Sequence, residues 1–143
     1  MSFLHVHLTD TPNDFLLLSP LNPTSGGLSD YTCYDHRIHW YFCGTCGVRC
    51  FAFGGEGVVR EVEVDGEKKE VWTPKSEGWK EGGWREARDS RPSYLSVNGH
   101  MLEPGQEGLN LKEWTEKGWI TYLDMKDEVG ADRLGEPHDG GVY

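Results

Sequence analysis

Along residues 3–8 apolar and polar side chains alternate. Leu4, Val6 and Leu8 fall on one side of an extended chain, and Phe3, His5 and His7 on the other. A period of two predicts a strand. The stretch from Asp10 to Asp14 reads as a turn around Pro12, and Phe15-Leu16-Leu17-Leu18 as a short buried strand. Residues 20–27 have loop composition. Two more strands are predicted over 28–34 and 37–42, separated by Asp35-His36. In the second, Ile38, Trp40 and Phe42 share a face, while His39 and Tyr41 take the other. Residues 43–47 turn the chain, 48–53 lead away as a strand, and Gly54-Gly55-Glu56-Gly57 is a loop. Residues 58–64 form a further strand with Val58, Val62 and Val64 on one side.

From Pro74 to Pro92 the pattern loses any period, and this segment reads as an exposed Trp/Gly-rich insertion. Alternation returns over 94–98, one or two helical turns fit 109–117, and a last strand fits 119–123. The remainder, 124–143, is acidic and Gly-rich, which suggests a flexible, solvated tail. Many short strands joined by Gly-rich turns predict a mainly β domain of antiparallel strands over residues 1–123. Composition sharpens this. Leu, Ile, Val and Phe make up about a fifth of the chain, close to the level at which charged chains stay disordered. Six Trp, six Tyr and five Phe compensate with large buried surfaces. Trp40, Trp72, Trp114 and Trp119 lie in patterned segments and are expected in the core. Trp79 and Trp84 lie in the insertion, where they would wall a pocket or face a partner.

The formal net charge of -10 disfavours nucleic acid as a partner, since that role needs a basic footprint. No apolar run is long enough to span a membrane. The start lacks a basic segment followed by an apolar one, so no secretory signal is expected and a cytoplasmic location is. In that setting four cysteines point to thiols or metal ligands rather than disulfides. No nucleophile elbow, phosphate-binding glycine loop or H-E-x-x-H occurs. The sharpest signal is Cys43-Gly44-Thr45-Cys46-Gly47 between two strands. Two thiolates at this spacing can grip one Zn²⁺, with sulfurs about 2.3 Å from the metal. The same spacing serves redox pairs, though those usually open a helix in a βαβ unit. A structural zinc takes four ligands. Cys33, Cys50, His5, His7 and His39 are the candidates to complete the set, and His5-x-His7 is attractive because both rings share a strand face. Against this, paired histidines on a short strand often bind nothing, and Cys33 and Cys50 also suit small core positions.

Three segments together, Phe15-Leu16-Leu17-Leu18-Ser19-Pro20, Leu28-Ser29-Asp30-Tyr31 and His39-Trp40-Tyr41-Phe42-Cys43-Gly44-Thr45-Cys46-Gly47-Val48, carry a resemblance. The chain resembles the glutathione-dependent formaldehyde-activating enzyme / centromere protein V (GFA/CENP-V) family, especially its fungal members. Tyr94-Leu95-Ser96-Val97-Asn98 and Gly118-Trp119-Ile120 match the family's closing strand and short ending. The similarity covers roughly residues 3–123.

The resemblance implies a β-tent fold clamped around zinc. It also implies carbon–sulfur lyase activity on glutathione or other thiol–aldehyde adducts. In the family, an early C-x-C pair and a later C-x-x-C make a structural zinc site, and a separate C-x-C-x-x-C group holds a catalytic zinc. Cys43 and Cys46 match the later structural pair. The other two groups have no counterpart in these 143 residues. The expectation is therefore an N-terminally truncated family domain, by real truncation or by a misplaced start, with the lyase activity impaired. The alternative is a non-catalytic zinc-knuckle β domain that binds a partner or small molecule. Its missing hairpin would leave an open sheet edge and favour a homodimer.

Overall fold

Strand alternation and tight turns lay the chain out as antiparallel ladders, seen in a computed structural model. It describes residues 3–33, 35–80, 92–118 and 120, and the backbone of the strands at 122–124, 132–133 and 141–142. The architecture is mainly β, and the sheets are not closed into a barrel. Two compact units emerge, His5–Asn98 and Met1–Leu4 with Gly99–Tyr143.

The first unit contains β1 (His5–Val6), α1 (Thr11–Asp14), β2 (Leu28–Thr32), β3 (His39–Cys43), β4 (Arg49–Gly54), β5 (Gly57–Val64), β6 (Glu67–Pro74) and β7 (Tyr94–Asn98). Five of these strands form one antiparallel sheet in the order β1-β7-β4-β3-β2, and β5 and β6 form a two-stranded sheet. The register sets the faces. Val97, Phe51, Tyr41 and Asp30 stand in one row across β7, β4, β3 and β2, and Leu95, Phe53, His39 and Thr32 in another. These rows share a face, because residues directly opposite in an antiparallel pair point the same way. That face is the core: Tyr41, Phe51, Phe53 and Leu95 bury there with Trp72 of β6. Tyr41 lies 4.8 Å from Phe51, and Phe53 meets Trp72 edge-on at 5.0 Å, both favourable aromatic geometries.

Strand β6 was not anticipated. Asp65 and Gly66, both with positive φ (54° and 77°), form the two-residue turn that joins it to β5. Such a pair matches the twist of a hairpin. The run 15–18 is not a strand: only Leu17 pairs, bridging Trp72 through two backbone hydrogen bonds of 2.9 Å. Phe15 packs at 5.1 Å from Phe51, whereas Leu18 is 51% exposed. Pro20, which has no N–H, follows closely and limits further pairing. The turn expected at Asp10–Asp14 is a single helical turn with Pro12 in its first positions. Of the Pro74–Pro92 insertion, residues 81–91, with Trp84, lie outside the described residues. Trp79, half-buried, stacks parallel on Phe53 at 6.3 Å and packs against the core cluster.

In the second unit, the Gly99 amide donates to the Leu4 carbonyl at 2.8 Å, and a 3₁₀ turn spans Gly99–Met101. Helix α2 (Leu111–Glu116) is capped by Asn110, whose side-chain oxygen accepts from the Glu113 amide at 3.0 Å. Trp114 is half-buried and donates its ring N–H to the Gly108 carbonyl; Trp119 lies outside the described residues. The stretch expected to be a tail carries two short strands. β8 (Tyr122–Asp124) pairs with both β9 (Asp132–Arg133) and β10 (Gly141–Val142). Among the described residues no helix is long and apolar enough to cross a membrane.

Candidate metal centre at the Cys43–Cys46 turn

Strand β3 ends at Cys43, and the chain must reverse within a few residues to return along β4. Gly47 allows this with φ of 73°. Its amide donates to the Cys43 carbonyl at 2.8 Å, and the Cys43 amide donates to the Val48 carbonyl at 2.9 Å. Gly44 anchors the turn to β2 through an amide hydrogen bond of 2.9 Å to the Gly27 carbonyl. The approach is close: a Cβ there would lie 3.0 Å from Ser29 Oγ. The amides of Cys46 and then Thr45 donate towards the Cys43 sulfur, helped by the Cys46 thiol, and hold the Cys43 thiol below its ordinary range. Favouring the thiolate is what both metal ligation and nucleophilic chemistry need. Cys46 is exposed.

Cys50 comes close to this turn. Tyr41 pairs with Phe51 and Phe42 with Arg49, so Cys50 is an extra residue in β4, a β-bulge. It is half-buried and packs against the core cluster. Its thiol donates to the Val48 carbonyl at 3.6 Å, the same carbonyl that accepts from the Cys43 amide. Burial, and then the negative charge of Cys43, push the Cys50 thiol up.

The other candidate ligands are elsewhere. Leu28 pairs with Cys43, so Cys33, five residues further on and just past the end of β2, is displaced by about 16 Å at strand rise. His39 lies four residues up β3, about 13 Å away by the same measure, and its Nδ1 pairs with Asp30 Oδ2 at 2.7 Å. His5 and His7 occupy the opposite face of the sheet. His5 Nδ1 lies 2.9 Å from Ser96 Oγ and 3.0 Å from the Tyr94 hydroxyl, and its ring meets Trp40 edge-on at 5.6 Å. His7 Nδ1 bonds the Leu95 carbonyl at 3.2 Å. The pairing of His5 with Asn98, and of Ser96 with Ala52 and Ala52 with Trp40, defines this second face. Cys43 alternates with Tyr41 and belongs to the core face. The sheet itself thus separates the histidine pair from Cys43, and the two pairs do not come together. Among the described residues no three His, Cys, Asp or Glu side chains are gathered as a metal-binding group. The donor chemistry of the turn itself, two adjacent thiols with one held towards thiolate, suits zinc.

The histidine face has chemistry of its own. Burial, then the charges of His7 and Arg49, lower the His5 pKa to about 4, so the ring is neutral at pH 7. Burial raises the Tyr94 hydroxyl as well. Arg49 lies over Trp40, 5.7 Å from the ring centroid, in a cation–π contact. Trp40, expected in the core, is half-buried on this face. Sequence reading missed Tyr94 and Ser96 as partners of His5. The alternation of 94–98 placed them on one side, but only the pairing of β1 with β7 brings His5 to it. The chain matches no protein-family profile, no curated protein and no solved structure.

Proposed function

We propose that this chain is a GFA/CENP-V-like zinc protein in which Cys43 and Cys46 hold Zn²⁺, and in which the family's carbon–sulfur lyase activity on glutathione or thiol–aldehyde adducts is impaired. The observation that carries the zinc reading is the turn itself, a C-x-x-C between two strands, closed by the Gly47 amide on the Cys43 carbonyl, whose second thiol is open to solvent. The impairment follows from the 143 residues themselves, which contain no C-x-C-x-x-C group. A zinc ion held here would lock the β3–β4 turn and supply Lewis acidity to any ligand in an open position. Elemental analysis of the purified chain is expected to give one zinc per molecule, lost in Cys46→Ala. The glutathione–formaldehyde adduct is expected to form no faster with protein than without. Absence of zinc from wild type sinks the metal reading, and turnover of the adduct sinks the impairment.

A second reading, a non-catalytic module that binds a partner or small molecule, is favoured by the histidine face. There Tyr31 is 59% exposed beside half-buried Trp40, and Arg49 is exposed. Within the described residues β2 is an edge strand, which suits strand addition or a homodimer. Light scattering after size exclusion tests this: a monomer at high concentration counts against the dimer.

A further inference from the structure

We propose that Cys50 is a third thiolate ligand of the zinc at Cys43 and Cys46, making a C-x₂-C-x₃-C set that leaves one coordination position to an outside donor. The inference rests on the zinc reading of the turn and adds a ligand to it.

Three observations carry it. First, two protein ligands are too few for a stable zinc site, and the other Cys and His candidates lie elsewhere: Cys33 and His39 at a distance along the strands, His5 and His7 across the sheet. Second, the bulge in β4 spends its extra residue on Cys50, which packs on the same core cluster that Leu28, the partner of Cys43, also contacts. Bulges re-aim side chains in this way near functional sites. Third, the Cys43 amide and the Cys50 thiol converge on one acceptor, the Val48 carbonyl. The two residues are therefore neighbours across the start of β4 although seven positions apart.

The three sulfurs are not yet gathered around one point. Closing the set requires side-chain rotation. The Cys50 S–H···O=C contact exists for the thiol alone; a thiolate has no proton to donate, and the carbonyl oxygen repels it. Passing between staggered wells moves a cysteine sulfur by about 3 Å. Cys46, exposed on the turn, has room to do the same. On binding, each thiol releases its proton to solvent, and Zn²⁺ with three thiolates carries a net charge of -1.

The test uses the full, reduced chain titrated anaerobically with Co²⁺, whose thiolate-to-metal charge-transfer absorption scales with the number of bound sulfurs. Cys50→Ser is expected to lose about a third of that absorption. It is also expected to bind zinc at least about tenfold more weakly in competition with a chelator, the smallest loss seen even for outer-shell partners. Cys33→Ser is expected to match wild type. Full absorption and affinity in Cys50→Ser overturn the inference while leaving the Cys43–Cys46 site standing. No cobalt uptake by wild type overturns both. Should Cys50→Ser misfold, alkylation of wild type with and without zinc decides instead. Protection of Cys43, Cys46 and Cys50, with Cys33 reactive, supports the set; a reactive Cys50 in the zinc-loaded protein overturns it.

Discussion

Acid should weaken the His5–Asn98 unit through one ring. In the folded chain His5 has a pKa of about 4, against 6.5 for an unperturbed histidine, because burial disfavours its charged form and His7 and Arg49 repel it further. Ser96 and Tyr94, at hydrogen-bond distance from its Nδ1, are neutral hydroxyls and bring no negative charge to the ring. The unfolded state therefore binds a proton that the folded state refuses. The associated stability is fully present above about pH 6.5 and is lost as pH falls towards 4. Between those two pKa values the linkage amounts to about 2 kcal/mol at pH 5. Water screening at a partly exposed ring cuts this to about 1 kcal/mol. Urea unfolding of wild type and His5→Gln at pH 7.5 and pH 5.0, with chelator present, isolates the effect, since titrations common to both cancel. Wild type is expected to lose about 1 kcal/mol more than His5→Gln over that interval. Equal losses refute the account of His5 as a buried ring held neutral in the folded chain.

Two packing predictions follow from the same unit. Gly57→Ala puts a Cβ into the Trp72 indole, and displacing that ring from Phe53 is expected to cost about 2 kcal/mol in urea unfolding, with a red shift in tryptophan emission. An unchanged midpoint would mean that the indole moves aside at no cost. Asn98→Ala removes a buried side chain whose amide donates to the Arg49 carbonyl at 2.9 Å. Leaving that carbonyl short of a donor is expected to cost about 2 kcal/mol, checked by the same titration.

What could be read from the chain tracks where burial is one-sided. Strand β7 was legible to the residue because its polar and apolar positions alternate, and β2, β3 and β4 were found within a few residues for the same reason. Strand β6 was missed because its first half, Glu67-Lys68-Lys69-Glu70, is charged and mostly exposed, and only 71–74 are buried. The Asp65-Gly66 turn was the available signal. The apolar run 15–18 misled in the opposite direction: it supplies side chains to the core without supplying a ladder. The Cys43–Cys46 turn could be located from spacing alone. That His5 and His7 stand across the sheet from it could not, because faces depend on register, and register here includes a bulge that no local pattern announces. The nearness of Cys50 to the turn has the same origin.

The β5–β6 hairpin has a consequence for solubility. Its base is held by Val71, Trp72, Thr73 and Pro74, all buried, but residues 61–70 run on as a two-stranded ribbon with no third strand among the described residues. Both long sides of that ribbon offer backbone donors and acceptors to any passing strand. Glu61, Glu63, Asp65, Glu67 and Glu70 line it, with only Arg60, Lys68 and Lys69 to offset them. Lys68 and Lys69 pair with Glu61 and Glu67, so two copies brought edge to edge would bring together the ribbon's surplus of negative charge. The acidic surplus on the ribbon thus opposes edge-to-edge pairing of its own hairpins, and salt that screens it is expected to weaken that opposition.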